Sequence, residues 1–232
     1  MAVIRILGID PGTQVVGFGC LELQTDQVSA AVAHAAAPLA LRASNVVRAG
    51  GGDRVRPLDC GVLRLGGRQH DVPERLWSLA QQFRALLERL APHELALEEA
   101  FYGKSVQAAL RIGEARGVVL AEASRAGMAI HQYAPARIKR CVTGRGDAGK
   151  EAVAEMVLRQ LGAGGAGAAV GLPADASDAL AAAMCRIEER RSPLVAVAEA
   201  LARDGGAMPT APGSAAGVAE ATARPWRPRR RR

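Results

Sequence analysis

The residues with the most chemical promise are carboxylates, and they fall in three places. Asp10 closes an apolar run, Val3-Ile4-Arg5-Ile6-Leu7-Gly8-Ile9, and Pro11-Gly12-Thr13 follows at once. Glu98 and Glu99 close the short run Glu94-Leu95-Ala96-Leu97. Asp175 and Asp178 stand three apart in the Ala- and Leu-rich stretch from Ala174 to Ala181. A carboxylate at the end of a buried strand is costly to bury unpaired and wants a partner or a metal. The spacing of Asp175 and Asp178 puts both acids on one helix face. Four carboxylates without a histidine suit a hard divalent ion, Mg²⁺ or Mn²⁺, rather than zinc. Two such ions bridged by shared carboxylates would activate a water and stabilise the leaving oxygen in phosphodiester hydrolysis. Taken singly, Asp175 equally suits the positive end of a helix dipole, and Asp178 an ion pair with a surface Arg.

These acids must be carried by strands and helices in a particular order. Residues 3–9 and 15–23 read as two strands joined by the turn at Asp10 to Thr13, where Pro11 presets φ and Gly12 tolerates φ > 0. Residues 24–59 lose clear periodicity and contain Gly50-Gly51-Gly52-Asp53, which reads as an insertion or long loop. Cys60 to Leu65 regains a strand pattern. From Val72 to Leu90 apolar residues recur at three and four, Pro73 suits a first helical turn, and Pro92 stops the helix. A strand over Glu94–Glu98, a helix over Ser105–Ala126 with Gly117 for close packing, and a strand over Met128–Tyr133 follow. Helices at Pro135–Cys141, Lys150–Leu161 and Pro173–Arg190 complete the order, the last after a Gly/Ala linker. Strands separated by helices imply parallel neighbours. The expected fold is α/β: a mixed five-stranded sheet, an antiparallel meander plus parallel strands, flanked by helices. Residues 1–190 form its domain, and residues 204–232 read as a disordered basic tail.

Composition narrows the class of partner. The 232-residue chain carries a net charge of +7, which points to nucleic acid. Part of the excess lies in Arg227 and Arg229 to Arg232, yet the body stays mildly basic without them. Lysine occurs only at Lys104, Lys139 and Lys150, in a chain that otherwise writes positive charge as Arg. Such lysines can mark places where a compact ammonium is wanted. The scattered Cys20, Cys60, Cys141 and Cys185 form no C-x-x-C pair and read as reduced thiols of a cytoplasmic protein. No signal peptide and no membrane-spanning run is expected.

Four blocks together carry a resemblance. Leu7-Gly8-Ile9-Asp10-Pro11-Gly12-Thr13, Ala96 to Phe101, Ala109-Leu110-Arg111-Ile112-Gly113-Glu114-Ala115-Arg116-Gly117 and Ala174 to Ala181 resemble, in order, the blocks of the RuvC family of Holliday junction resolvases. The resemblance implies a ribonuclease H-like fold and a bacterial, cytoplasmic homodimer that nicks a four-way DNA junction symmetrically with Mg²⁺. It also implies work beside a junction-binding branch-migration complex of the RuvA and RuvB type. By position, Asp10, Glu98, Asp175 and Asp178 match the family's catalytic, metal-binding carboxylates. Glu99 stands where the family often has Gln. Lys139 and Lys150 match basic positions near the scissile phosphate, and Phe101 matches an aromatic that meets bases at the opened junction. An aromatic beside an acid cluster can stack on an unpaired base, and Tyr102 can share that role. Lys104 joins the expected DNA contacts.

Other readings stay in view. Gly144-x₄-Gly149-Lys150 approaches a P-loop, but Glu151 replaces the hydroxyl that would meet Mg²⁺. The opening motif also resembles the first phosphate loop of actin-like sugar kinases, whose second half this chain lacks. A non-catalytic DNA-binding module, or a related nuclease acting on other nucleic acid, is the remaining alternative. The long 24–59 segment, the Gly162–Gly171 linker and the basic tail depart from the family pattern.

Overall fold

The computed structural model describes residues 2–25, 53–67, 70–99, 105–162 and 172–192. The inner part of the 24–59 segment, Phe101, Tyr102, Lys104, the linker over 163–171 and the 204–232 tail lie outside the described residues.

Among the described residues, five strands and five helices follow in order: β1 (Ala2–Asp10), β2 (Val15–Thr25), β3 (Arg54–Arg64), α1 (Val72–Leu90), β4 (Glu94–Glu98), α2 (Val106–Arg125), β5 (Ala129–Tyr133), α3 (Pro135–Thr143), α4 (Lys150–Gln160) and α5 (Ala174–Arg191). They form one sheet in the order β3-β2-β1-β4-β5. β1 pairs antiparallel with β2 and parallel with β4, and β4 pairs parallel with β5. The mixed sheet expected from the order of elements is therefore present.

The meander differs from expectation at its edge. β2 runs on to Thr25, and β3 starts at Arg54 rather than Cys60. The long connection is thus shorter than residues 24–59. Arg54, Arg56 and Pro57 carry no apolar alternation, so this half of β3 does not read as a strand. An edge strand with one side towards solvent tolerates charge and proline. Pro57 pairs with Leu21 just where the β2–β3 register shifts, between Cys20 and Leu21.

Strand alternation divides the core in two. Leu7 and Ile9 of β1, Val16, Phe18 and Cys20 of β2, and Leu95 and Leu97 of β4 face α1 and α2. Ile6, Leu21, Leu23 and Ala96 face α3, α4 and α5. α1 starts with a capping box: the Asp71 carboxylate accepts from the Glu74 N–H at 2.9 Å, and the Asp71 N–H donates back to Glu74 at 3.2 Å. It buries Leu79, Phe83, Leu86, Leu87 and Leu90. Gly117 of α2 does not serve close packing, because a Cβ there would meet open space.

α5 lies on the second face in direct contact with strand backbone. A Cβ at Gly8 would strike the Ala179 carbonyl, and one at Gly17 would strike the Asp175 carbonyl. At Gly19 it would stand 2.6 Å from the Leu180 side chain. The run Ala179 to Ala183 is buried throughout. Glycines below and alanines above let helix and sheet approach without intervening side chains. Beyond this seam, the buried Glu94 carboxylate takes Arg186 at 2.7 Å and Arg190 at 3.2 Å, pinning the far half of α5 to β4.

Candidate active site

Two strand ends set the floor of the site. β1 and β4 run in register from Ile6 opposite Glu94 to Ile9 opposite Leu97. One residue further on, Asp10 and Glu98 stand level at their C-terminal ends. Asp10 shares the parity of Ile6 and Gly8, and Glu98 that of Ala96, so both point to the α5 face. The start of α5 crosses the same end of the sheet. Asp175 sits in its first turn, where an acid complements the helix dipole, and Asp178 follows one turn on.

A cleft of about 190 Å³ gathers Asp10, Glu98 and Asp178 with Pro135, Ile138, Lys139, Lys150 and Val153. Lys139 comes from α3 and Lys150 from the start of α4. Lys150 Nζ meets the Asp178 carboxylate at 3.1 Å while remaining largely exposed. Five predicted residues therefore line one cleft. Asp175 stands beside it, close enough to raise the proton affinity of Asp10.

The electrostatics follow from this crowding. Burial, reinforced by Glu98, Asp178 and Asp175, pushes the Asp10 carboxyl up to about 7. Burial and Asp178 also raise Glu98, against the pull of Lys150, Lys139 and Arg116. The hydrogen bond to Asp178 raises Lys150. Among the described residues, no group of three or more His, Cys, Asp or Glu side chains stands close enough together to hold a metal ion at once. The four acids share one electric field, since Glu98, Asp178 and Asp175 all act on Asp10. Their chemistry still fits a hard divalent cation: every donor is a carboxylate oxygen, and Asp10 is buried among like charges that a cation would neutralise.

Three contributors to the site were not singled out from the sequence. Gly8 and Gly17 set the depth at which α5 seats its acids, and their signal is a glycine at the same parity as a strand-end acid. Arg116 is buried under the end of β4 and donates to the Glu98 backbone carbonyl and to Gln132. It stands inside the family-like block Ala109 to Gly117, but that block assigns it no individual role.

Comparison with known proteins decides the family. Residues 39–186 match the family described as "Crossover junction endodeoxyribonuclease RuvC". The chain belongs to the RuvC family. Its RuvC relatives include that of Chloroflexus aurantiacus, 38% identical over 183 residues, which are 78% of this chain and 92% of the relative. The RuvC of Roseiflexus sp. is 36% identical over 200 residues, 82% of this chain and all of the relative. The Thermus thermophilus RuvC structure superposes with a TM-score of 0.62 at 28% identity, covering 81% of this chain and 96% of that one. A second structure, of the Thermus thermophilus RuvC in complex with a Holliday junction substrate, gives 0.61 at 29% identity. The RuvC family is one of metal-dependent endodeoxyribonucleases, and this chain carries its ribonuclease H-like fold. The matched span starts beyond β2, so Asp10 joins Glu98 and Asp178 through the β1–β4 pairing rather than through that match. No helix among the described residues is long and apolar enough to cross a membrane.

Proposed function

We propose that this chain resolves four-way DNA junctions by hydrolysing phosphodiester bonds in recombination and repair, in the bacterial cytoplasm. The observation that carries this reading is the single cleft in which Asp10, Glu98 and Asp178 face Lys139 and Lys150. Acids alone would repel a DNA backbone. Ammonium groups on the cleft rim offset that repulsion and draw a phosphate towards the carboxylates.

The residues that would hold the ion are Asp10, Glu98, Asp175 and Asp178, and Mg²⁺ is the expected metal, with Mn²⁺ as substitute. A divalent ion there supplies Lewis acidity at the phosphodiester and a more acidic bound water. Lys139 and Lys150 bind and orient the phosphate. Asp10, held up to about 7, must surrender its proton before it can act as a ligand. Phe101, Tyr102 and Lys104 remain proposed DNA contacts next to Glu98 in the chain.

The proposed assembly is a homodimer working with a RuvA- and RuvB-type branch-migration complex. Trp77 of α1 and Val106 and Leu110 of α2 are more than half exposed, on two helices that pack together. Apolar exposure of this kind supports a second copy as its cover.

The test is cleavage of a synthetic four-way junction with Mg²⁺ and mapped products. Two symmetry-related nicks, with linear duplex left largely intact, are expected. Equal cutting of linear duplex would sink the proposal. Deleting residues 204–232 should lower junction affinity and leave cleavage in place; unchanged affinity removes the arginine run from the DNA contacts.

A further inference from the structure

We propose that Arg116 is the positioning residue for Glu98: it clamps the peptide on which that carboxylate depends and so sets where the acid stands in the cleft. This rests on the reading of Glu98 as a metal ligand. Arg116 lies midway along α2 and is only 9% exposed. One arm of its guanidinium donates to the Glu98 carbonyl oxygen, and the other donates to the Gln132 side-chain oxygen at 2.5 Å. Gln132 belongs to β5, opposite Leu97 in the β4–β5 register.

The Glu98 carbonyl and the Glu99 N–H belong to the same peptide group. The carbonyl end is held by Arg116, and the N–H end donates to the Tyr133 carbonyl at 2.9 Å. A peptide plane is rigid, so fixing both ends fixes ψ of Glu98 and φ of Glu99. The chain leaves the sheet at this point, where a backbone carbonyl would otherwise need a donor. With that plane fixed, the Glu98 side chain leaves the strand in one direction, towards Asp10 and Asp178.

Arginine suits this position better than lysine. Its planar fork reaches two acceptors on two strands at once, whereas an ammonium is a single point of charge. Glu98 and Glu99 supply nearby negative charge for the buried guanidinium. Arg116 belongs to α2, which packs on the sheet face opposite α5, and it is not among the residues that line the cleft. Its effect on cleavage therefore passes through Glu98.

The experiment compares Arg116→Met, Arg116→Lys and Glu98→Gln with the natural protein in the full chain. Four quantities are measured: Tm, junction affinity, Mn²⁺ binding by electron paramagnetic resonance of the free ion, and single-turnover junction cleavage. In Arg116→Met, cleavage should fall roughly a hundredfold, the loss that a misplacement of about 1 Å can bring. Mn²⁺ binding should weaken about tenfold in the same variant, part-way to Glu98→Gln. Junction affinity should stay within about twofold, because no DNA contact is removed. Arg116→Lys should recover part of both losses. Natural Mn²⁺ binding and natural cleavage in a folded Arg116→Met would overturn the proposal. A loss of junction affinity as large as the loss of cleavage would overturn it too. If Arg116→Met does not fold, Arg116→Lys decides: it must weaken Mn²⁺ binding without lowering junction affinity. Failure of the natural protein to cut junctions would strike the function proposed above, whereas the Mn²⁺ comparison strikes only the role of Arg116.

Discussion

Gly17 of β2 lies directly beneath the Asp175 carbonyl of α5, so closely that no Cβ fits between them. The helix carrying two of the four acids therefore rests on backbone, and its height above the strand ends leaves no slack.

Gly17→Ala should show this directly. The added methyl has rigid backbone on its far side, so α5 must shift or β2 must bend. Overpacking of this kind costs about 1–3 kcal/mol. The Tm should fall by several degrees, and cleavage should fall further than the folded fraction does, because Asp175 moves with the helix. A Gly17→Ala protein with normal Tm and normal cleavage would contradict the backbone contact.

Asp10→Asn separates function from stability. The variant should bind a junction and not cut it. Asp10 is a carboxyl pushed up to about 7 by burial and three neighbouring acids, so its charge opposes folding at pH 8 when no cation is added. Asparagine removes that charge, and in chelator at pH 8 the variant should be more stable than the natural protein. Denaturant unfolding measures the gain, and a less stable variant would contradict it.

The same carboxyl gives stability a defined dependence on pH. Its folded value, about 7, exceeds its ordinary value of 3.8, so the folded state holds the proton more tightly. Its stabilising contribution is fully present below about 3.8 and is lost as pH rises through about 7. In chelator, natural protein should lose stability across this window relative to Asp10→Asn. At limiting Mg²⁺, cleavage should rise with pH and level off above about 7, as Asp10 becomes free to ligate. A flat profile from pH 5.5 to 8 would count against Asp10 as a ligand.

Lys150 holds Asp178 at 3.1 Å with its ammonium otherwise open to solvent. Lys150→Met should reduce single-turnover cleavage by about tenfold to a hundredfold, since a charge facing the phosphate is lost. Lys150→Arg should recover part of the rate. Junction affinity should fall much less, because one phosphate contact among many is removed. Equal losses of rate and affinity would make Lys150 a general DNA contact instead.

Much of the site can be read along the chain because its acids obey local rules. Asp10 and Glu98 each end an apolar strand, and Asp175 and Asp178 share a helix face. The meeting of Asp10 and Glu98 needs only the parallel β1–β4 pairing, which the intervening helix implies, whereas Asp175 and Asp178 join them through the seating of α5 on Gly8 and Gly17. The start of β3 escapes such reading, since Arg54, Arg56 and Pro57 are exposed at a sheet edge and only Val55 between them packs against the core. Gly117 suggests close packing by its type, but packing depends on what lies across from it, and there the space is open. Gly17 is the reverse case: its importance comes from a helix that begins 157 residues later in the chain. Arg116 depends on a peptide orientation at Glu98 that no sequence pattern encodes.

The seating of α5 on Gly8 and Gly17 also bears on when this chain first becomes dangerous to DNA. Domains are made from the N-terminus onward, at about 5–20 residues per second. Asp10 emerges early, with its strand partners soon after. Asp175 and Asp178 are the last of the four acids to leave the ribosome, on the segment that must slot against the glycines. Until then the nascent protein holds only two of the four acids proposed to bind the metal.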